Sequence, residues 1–396
     1  MELPSVVLDT DRLPLGPWIY ARQVRDARGA PDGSLVEVLD DSGRFVGHAL
    51  HNGKSDIRLR MLSRGKRHAL DKPDAFLREK LSAASRVRRK TLRLPEVSNA
   101  WRLCHGEGDD LSGLIVDRYA DVFVAEYHSL AFWNLRGDVE KALYALDKDA
   151  SVVHRVPAGA FRAEGFPMAH PDDEPGLLEG GDDKERWITE HGIDFPINPG
   201  RGHKTGWFCD QRDNRQRVAS FAAGRDVLDL CCNAGGFALA CAKAGARSVT
   251  AVDLDEVVLE RASRAGARAG LDVDFRHEDA FDALRSSVSE PKSPQLIVLD
   301  PHKLISGKRQ LETGRIKYLD FNTLALQAAA PGGLVATFSC SGALDLPAFL
   351  GVIFQSARRA ERDIRLLELM GAAPDHPQRP EFPRSRYLKG ALIAVD

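Results

Sequence analysis

The sequence predicts a mixed α/β protein whose C-terminal half forms a parallel β-sheet covered by helices on both faces. After about residue 200, short apolar runs alternate regularly with segments of helical periodicity, a pattern that builds parallel sheets. Before residue 70, apolar runs of strand length alternate with turn signals instead. The chain has 396 residues and 43% hydrophobic content, which is enough for two or three packed domains.

Residues 1–70 are predicted to form a small all-β domain. Its apolar runs at 35–39, 44–50 and 57–62 are separated by the turn dipeptides Asp32-Gly33, Ser42-Gly43 and Asn52-Gly53. Residues 71–96 follow as a basic linker helix, because Asp74–Leu94 carries apolar residues at helical spacing with no Gly or Pro inside.

Residues 97–200 are predicted to form a small central α/β domain. Leu114–Val116 and Val122–Tyr127 have the pattern of paired strands, and Leu130–Leu146 has that of a helix. Arg162–Lys184 is rich in Gly, Pro and Asp and has little periodicity, which predicts a surface loop.

Residues 201–396 are predicted to form the doubly wound domain, with a sheet of seven strands. The strands are expected at 227–230, 249–252, 273–275, 296–299, 334–338, 364–369 and 387–395. Helices are expected to begin at 236, 256, 279 and 316, and a last one near 346–361.

Composition limits the class of protein. No stretch approaches the roughly 20 apolar residues of a membrane helix, and residues 1–10 lack the pattern of a signal peptide. We therefore expect a cytoplasmic protein with no membrane partner. The six cysteines show neither metal-ligand spacing nor a compact disulfide pattern, so we expect reduced thiols and no bound metal.

The formal net charge of -2 excludes a generic polyanion binder, so an RNA partner has to be argued from local patches. Two basic clusters are candidates: Arg58, Arg60, Arg64, Lys66 and Arg67, and then Arg86, Arg88, Arg89, Lys90 and Arg93. An RNA-binding surface and a solvated face balanced by acids elsewhere are equally good interpretations of these clusters.

The segment from Val227 to Phe237 is predicted to be a cofactor loop. A buried strand ends near Asp229, and a turn containing Gly235 and Gly236 opens a helix. A nicotinamide nucleotide would require a G-x-G-x-x-G turn, and Cys231 and Asn233 stand where its glycines would be. S-adenosylmethionine carries no phosphate, so it fits this loop better.

Acidic residues follow four predicted strands in register: Asp229, Asp253, Asp279 and Asp300. Each alone is more often a helix cap or a turn residue, but four together indicate a binding site for a cationic cofactor. We expect Asp229 to face the methionine end of S-adenosylmethionine. Asp253 is expected to bind the ribose hydroxyls, and Asp279 with Ala280 to lie near the adenine.

Cys340 is the candidate nucleophile, in the turn Ser339-Cys340-Ser341-Gly342 after the fifth strand of the domain. One reaction that uses such a cysteine is the methylation of cytosine at carbon 5. Carbon 5 is a poor nucleophile, and addition of a thiolate at carbon 6 activates it. Such a cysteine needs partial exposure and nearby positive charge, for which Lys303 or His302 is expected. A free cysteine at a strand end is more often a small buried residue, but the polar turn favours the nucleophile.

With these residues assembled, the chain resembles the large-subunit ribosomal RNA cytosine-5 methyltransferase I family over nearly its whole length. The matching segments are Gly16–Ile19, Val36–Leu62, His105–Asp109, Gly113–Tyr119, Lys204–Arg215, Asp229–Phe237, Phe338–Gly342, Asp375–Pro377 and Tyr387–Gly390. The resemblance implies a PUA domain, a central α/β domain and a class I (Rossmann-like) methyltransferase domain. It also implies that Gln211 and Arg215 frame the cofactor, that Cys340 is the nucleophile, and that ribosomal RNA of the large subunit or its assembly intermediate is the partner.

Two departures from that family leave alternatives open. The chain reads Asp300-Pro301-His302-Lys303-Leu304 where the family has D-P-P-K-F, and Arg384 stands where the family has an acid. Methylation of a base nitrogen, in guanine or adenine, is one alternative, and a catalytically weakened RNA-binding assembly factor is another. The sequence leaves open the target nucleotide, the proton acceptor at carbon 5, and whether the chain is a monomer or a homodimer.

Overall fold

The structure is a computed structural model that describes residues 3–10, 14–167, 175–181, 184–202, 204–305 and 307–396. The chain divides into two compact units. The first comprises Met1–Arg186, Ile197–Trp207 and Pro374–Ser385, and the second comprises Trp187–Pro196, Phe208–Ala373 and Arg386–Asp396. The predicted boundaries at residues 70, 96 and 200 are a finer division and stay predictions. Within the described ranges, no helix combines the length and apolar character that a membrane crossing requires.

A six-stranded sheet forms the N-terminal part of the first unit. Its strands are β1 (Ser5–Leu8), β2 (Trp18–Ile19), β3 (Val24–Asp26), β4 (Ser34–Leu39), β5 (Phe45–His51) and β6 (Leu59–Arg64), in the order β2-β6-β5-β4-β1-β3. The three predicted strands correspond to β4, β5 and β6, which pair antiparallel in succession. The other three have only two to four residues, too few to show a strand period in the sequence.

Helix α1 (Pro73–Arg86) lies within the predicted linker helix and is followed by a π-helical turn over Val87–Thr91. Inside this turn the Arg88 side chain is fully buried, whereas that of Arg89 is exposed. The Arg88 guanidinium donates to both carboxylate oxygens of Asp109, at 2.6 and 2.7 Å, and to main-chain oxygens. The prediction that Arg88 belongs to a basic cluster open to RNA or to solvent is therefore wrong, because Arg88 is buried in an ion pair with Asp109.

A five-stranded sheet forms the central part of the first unit. Its strands are β7 (Ala100–His105), β8 (Leu114–Tyr119), β9 (Val122–Tyr127), β10 (Ser151–Val156) and β11 (Leu177–Gly180), with helices α2 (Leu130–Asn134), α3 (Arg136–Tyr144) and α4 (Ala158–Glu164). The sheet order is β11-β10-β9-β8-β7, and the predicted pairing of β8 with β9 is confirmed. The single helix predicted over Leu130–Leu146 is wrong, because the helix is interrupted at Leu135.

The loop predicted over Arg162–Lys184 is wrong in part. Strand β11 pairs antiparallel with β10 at the edge of the central sheet, and its residues are mostly exposed. An exposed edge strand need not alternate apolar and polar residues, which explains the missing period. Residues 168–174 and 182–183 of the predicted loop lie outside the described residues.

The segment Asp375-His376-Pro377 belongs to a buried polar cluster of the first unit. The Asp375 carboxylate accepts the main-chain N–H of Arg102 at 3.0 Å and lies 3.1 Å from Nδ1 of His376. The Arg102 side chain in turn donates to both oxygens of Asp117, at 2.6 and 3.0 Å. Buried charges of this kind are stable only when they are paired, so this segment has a structural role.

The second unit contains a hairpin and a seven-stranded sheet. Its strands are β12 (Arg186–Glu190), β13 (Ile193–Ile197), β14 (Asp226–Leu230), β15 (Ser248–Asp253), β16 (Asp274–His277), β17 (Leu296–Leu299), β18 (Gly333–Ser339), β19 (Ile364–Gly371) and β20 (Lys389–Val395). Its helices are α5 (Arg212–Ala219), α6 (Gly236–Lys243), α7 (Glu256–Ala269), α8 (Ala280–Ser289), α9 (Leu311–Ala328) and α10 (Leu346–Ala360). The predicted seven-stranded sheet is confirmed, with the order β16-β15-β14-β17-β18-β20-β19.

The strand directions bring the candidate site residues to one edge of this sheet. Strands β15, β14, β17 and β18 are parallel neighbours, so their carboxyl ends lie together. Asp229 is near the end of β14 and Asp253 ends β15, while Asp300 and Cys340 directly follow β17 and β18. Strand β20 is antiparallel to β18, which places its first residue, Lys389, at the same edge.

Candidate cofactor and active site

The loop between β14 and α6 has a strained backbone. Cys231 and Asn233 both adopt the left-handed conformation, with φ of 58° and 49°, and Gly235 follows with φ of 74°. A non-glycine residue in this region costs about 1 kcal/mol or more, and such strain collects at functional sites. The two residues that replace glycines therefore still adopt a conformation that favours glycine.

The structure gives Gly235 and Gly236 a packing role. A Cβ on Gly235 would approach Phe275 to 2.9 Å and Ala262 to 3.1 Å, and one on Gly236 would approach the Arg215 side chain to 2.7 Å. The glycines thus let helix α6 start close to its neighbours. Close helix packing is thus a second reason for the two glycines, beside the close approach of a ligand that the sequence suggests.

Asp229 carries a buried carboxylate that is only half satisfied. Its side chain is 1% exposed, and Oδ2 accepts the main-chain N–H of Ala238 at 2.9 Å. Oδ1 is buried and has no hydrogen-bond partner among the described residues. Burial, together with the charges of Asp300 and Asp253, raises the pKa of Asp229 well above its usual range.

The four predicted acids all influence the Cys231 thiol. Burial raises the pKa of this thiol, and the negative charges of Asp253, Asp300, Asp229 and Asp279 raise it further. Strands β16, β15, β14 and β17 are parallel neighbours, so the acids at or near their carboxyl ends lie along one edge of the sheet. The sequence prediction that these acids lie together is therefore consistent with the geometry.

The remaining acids also hold the local backbone. Asp253 accepts the N–H of Asn233 at 2.8 Å and that of Asp255 at 3.0 Å, which ties the loop after β14 to the end of β15. Asp279 caps α8 by accepting the N–H of Phe281 at 2.8 Å. Each of these carboxylates keeps lone pairs that can accept further hydrogen bonds from a ligand.

Gln211 and Arg215 occupy different positions relative to the acids. Gln211 is buried and donates its side-chain N–H to Oδ2 of Asp300 at 2.8 Å. Arg215 makes a bidentate pair with Glu190, at 2.7 and 2.9 Å, and both side chains are at least 96% buried. The charge of Arg215 is therefore paired with Glu190, a residue that the sequence analysis did not identify.

Two other predicted cofactor residues are packed into the sheet faces. Phe237 is 5% exposed and its ring lies 5.4 Å from that of Phe338. Ala280, 6% exposed, belongs to the apolar cluster on the other side of the sheet. Their side chains contribute to the core that supports the site.

Cys340 is half-buried on a turn that its neighbours anchor. Ser339 and Ser341 are both fully buried, and each hydroxyl hydrogen-bonds to the Tyr318 hydroxyl, at 2.9 and 3.0 Å. Ser341 also accepts the N–H of Ile305 at 3.2 Å. The partial exposure expected for Cys340 is present, but the flanking serines are anchors and not part of an exposed turn.

The charged groups near Cys340 differ from those expected. His302 and Lys303 are both exposed in the loop after β17. Lys389 is instead 5% exposed, and its ammonium donates to the main-chain oxygens of Ser341 and Tyr387 at 2.7 Å each. A lysine that opens an otherwise apolar strand was the signal in the sequence that could have identified it.

Comparisons with known proteins assign this arrangement to a family. A family model described as a PUA-like domain matches residues 15–64. A second, described as an S-adenosylmethionine-dependent methyltransferase, matches residues 167–377. The ribosomal RNA large subunit methyltransferase I of Aeromonas salmonicida is 34% identical over 382 residues, covering 95% of this chain and 94% of the relative. The chain belongs to the ribosomal RNA large subunit methyltransferase I family.

Another relative and two solved structures are also similar to this chain. The enzyme of the same name from Shewanella amazonensis is 34% identical over 384 residues, covering 96% of this chain and 95% of the relative. A solved structure described as a methyltransferase complexed with SAH has a TM-score of 0.82 over 100% of both chains at 18% identity. A Streptococcus mutans structure described as SAM-dependent has a TM-score of 0.79, also at 18% identity and full coverage of both chains. At this identity the structures show the fold.

The family's cofactor is S-adenosylmethionine, and the residues present fit it. The unsatisfied, buried Oδ1 of Asp229 lies among further carboxylates at the strand ends, which suits the cationic ammonium and sulfonium groups of that molecule. No group of three or more described side chains has the arrangement of a metal site.

Asp229→Asn is expected to make the cofactor-free protein more stable at pH 7 and to weaken S-adenosylmethionine binding at least about tenfold. The raised pKa of Asp229 sets the sign. Below its unfolded-state pKa the carboxyl is neutral in both states, and destabilisation accumulates as the pH rises towards its folded-state pKa. Thermal unfolding and titration calorimetry measure the two effects.

Asp226 provides the matched control on the same strand. Hydrogen bonds from Arg247 lower the pKa of Asp226, and Ser248 and Lys292 also donate to it. Asp226→Asn should therefore destabilise the protein and leave cofactor affinity unchanged. An Asp229→Asn protein that is less stable and binds S-adenosylmethionine like the wild type would contradict the assignment.

Proposed function

We propose that the protein forms 5-methylcytosine in ribosomal RNA of the large subunit, with Cys340 as the nucleophile. The observation that carries the proposal is the half-buried thiol on an anchored turn at the carboxyl end of β18. Asp300 directly follows the adjacent parallel strand β17, so the thiol and the acidic site share one edge of the sheet. The relatives named as large-subunit ribosomal RNA methyltransferases support the substrate class.

The chemistry assigned to Cys340 is covalent. Its thiolate adds to carbon 6 of the cytosine, forming a C–S bond and making carbon 5 nucleophilic. S-adenosylmethionine, when bound, would supply an electrophilic methyl group for carbon 5, with S-adenosylhomocysteine as the leaving group. The carbon 5 proton then passes to water, the C–S bond breaks, and the thiolate of Cys340 is regenerated.

The strand-end acids are proposed to hold the cofactor. Asp229 is assigned to the methionine end, because its unsatisfied Oδ1 can accept from an ammonium group. Asp253 is assigned to the ribose hydroxyls, and Asp279 with Ala280 to the surroundings of the adenine. The turn of Asn233, Gly235, Gly236 and Phe237 is proposed to form the wall of this site.

The loop after β17 is proposed to position the base. Asp300, which Gln211 holds through a 2.8 Å hydrogen bond, is assigned to the amino edge of the cytosine and to the cofactor side of the site. His302 and Lys303 are exposed beside it, and we assign them to the base and its phosphates. Arg215 is assigned to the frame of the cofactor site, through its contact with Gly236.

RNA binding is proposed for the PUA-like domain and the basic residues after it. Within the first unit, Arg64, Lys66, Arg86, Arg89 and Lys90 are exposed. Arg60 is 7% exposed and pairs with Glu164 at 3.2 Å, so we leave it out of this surface.

Ribosomal RNA as the substrate agrees with a cytoplasmic location of the protein.

Cys340→Ala is expected to reduce methyl transfer at least about 1,000-fold while changing S-adenosylmethionine affinity less than about twofold. RNA carrying 5-fluorocytosine should trap a covalent complex, because fluorine at carbon 5 cannot leave as a proton. The complex should survive denaturing electrophoresis with the wild type and be absent with Cys340→Ala.

Cys241→Ala is the matched control for this experiment. Its thiol is fully buried in the apolar core, so the variant should keep both methyl transfer and the trapped complex. If Cys340→Ala retains near-normal activity, the product is methylated on a base nitrogen and the proposal is wrong. If the wild type binds ribosomal RNA without methylating it, the assembly-factor alternative holds instead.

Replacing Arg86, Arg89 and Lys90 together by Gln should weaken RNA binding and lower the slope of log affinity against log salt, by about one for each lost phosphate contact. Affinity for ribosomal RNA fragments is measured at several salt concentrations. Arg88→Gln is the control, because the buried Arg88 pairs with Asp109: it should lower thermal stability, by roughly 3 kcal/mol, and leave the salt slope unaltered. An unchanged slope in the triple variant would exclude this surface.

A further inference from the structure

Lys389 is a buried lysine at the edge of the sheet where Cys340 lies. It opens strand β20, pairs with Ser339 on one side and with Gly371 on the other, and is 5% exposed. The residues that follow it, Gly390 to Ile393, are apolar and buried. Burial of an ammonium group is costly, so its retention at this position calls for a reason.

The main-chain partners of Lys389 fix its position without neutralising its charge. Its Nζ donates to the oxygens of Ser341 and Tyr387, both at 2.7 Å, and these carbonyls are uncharged. One of the two belongs to the residue that directly follows Cys340. The ammonium is therefore anchored to the turn that carries the thiol.

The ionisable groups around Lys389 differ in how well water screens them. Burial lowers its pKa to about 8; Cys340 and Asp345 oppose this shift, and the positive charge of Lys303 adds to it. Asp345 is an exposed helix cap that accepts the N–H of Ala348 at 2.9 Å. The Cys340 thiolate is therefore the anion that Lys389 can stabilise with the least screening.

We propose that Lys389 is a positioning residue whose buried ammonium stabilises the thiolate of Cys340. The inference rests on the proposed function, in which that thiolate attacks carbon 6. When Cys340 ionises, its S–H bond breaks, the proton passes to water, and the electron pair stays on sulfur for the C–S bond. His302 and Lys303, which the sequence suggested for this task, are exposed, so solvent weakens their effect on the sulfur.

Three further titratable groups influence the ionisation of Cys340, namely Tyr318, Asp300 and Lys303. Tyr318 on α9 is fully buried, and burial raises the pKa of its hydroxyl. Asp300 after β17 is an anion that opposes formation of a thiolate. Lys303 in the same loop favours it. Lys389 is charged below about pH 8, so its contribution is present at neutral pH and is lost as the pH rises through that value.

The test is the rate at which iodoacetamide alkylates Cys340 in the full-length protein, followed by peptide mass spectrometry from pH 6 to 10. Lys389→Met should shift the pH midpoint upward by about one unit, which makes alkylation at pH 7 about tenfold slower. Lys389→Arg should recover most of the wild-type rate because it keeps the charge. A midpoint that is the same in Lys389→Met and the wild type overturns the inference.

Lys243→Met is the matched control. The Lys243 ammonium also donates to two main-chain oxygens, those of His191 and Gly192, at 2.7 and 3.0 Å, but the residue is exposed on α6. Its substitution should leave Cys340 alkylation unchanged. If Lys303→Met shifts the midpoint and Lys389→Met does not, the exposed lysine has the role and the inference is wrong.

A reciprocal measurement covers the case in which Lys389→Met fails to fold. With lysine labelled by ¹³C at Cε, nuclear magnetic resonance follows the titration of Lys389 in the wild type and in Cys340→Ala. Because coupling between two groups is mutual, loss of the thiolate should lower the Lys389 midpoint, and an unchanged midpoint overturns the inference. If alkylation depends on Lys389 while Cys340→Ala still methylates RNA, the proposed function fails and the electrostatic coupling stands.

Discussion

The burial of the Asp229 carboxylate is the constraint on which the rest of the site depends. Strand β14 lies between two parallel neighbours, the Asp229 side chain near its end is buried, and one carboxylate oxygen has no partner within the described part of the chain. The nearby charges of Asp253 and Asp300 make this arrangement less stable still. An empty site is thus electrostatically unfavourable, and a ligand with positive charge relieves it.

On the other side of the site, hydrogen bonds anchor the turn that carries Cys340. Tyr318 joins the hydroxyls of Ser339 and Ser341, and Lys389 holds the main chain of the same turn. A nucleophile must be held close to its productive position, since small displacements cost large factors in rate. The acid cluster therefore provides attraction for the cofactor, while the anchored turn provides the geometry for Cys340.

Much of this could be predicted from the sequence because the relevant signals are local. The alternation after residue 200 predicted the seven-stranded sheet, and the acids at the strand ends follow from its parallel order. What local patterns could not show is pairing over long sequence distances. The burial of Arg88 depends on Asp109, and that of Arg215 on Glu190, 25 residues away. Likewise the short strands β1 and β2 pair with the longer strands β4 and β6, and β3 pairs with β1, so all three depend on the assembled sheet.

The central claim is that the buried acid cluster is completed by a cationic cofactor, and linked proton release tests it most directly. Titration calorimetry of S-adenosylmethionine binding is carried out at several pH values between 5 and 8, each in buffers of different ionisation enthalpy. We predict that binding releases protons from the wild type, because a bound cation lowers the raised pKa of Asp229, and that Asp229→Asn loses this release. Equal proton release by both proteins, or none by the wild type at any of these pH values, would contradict the account.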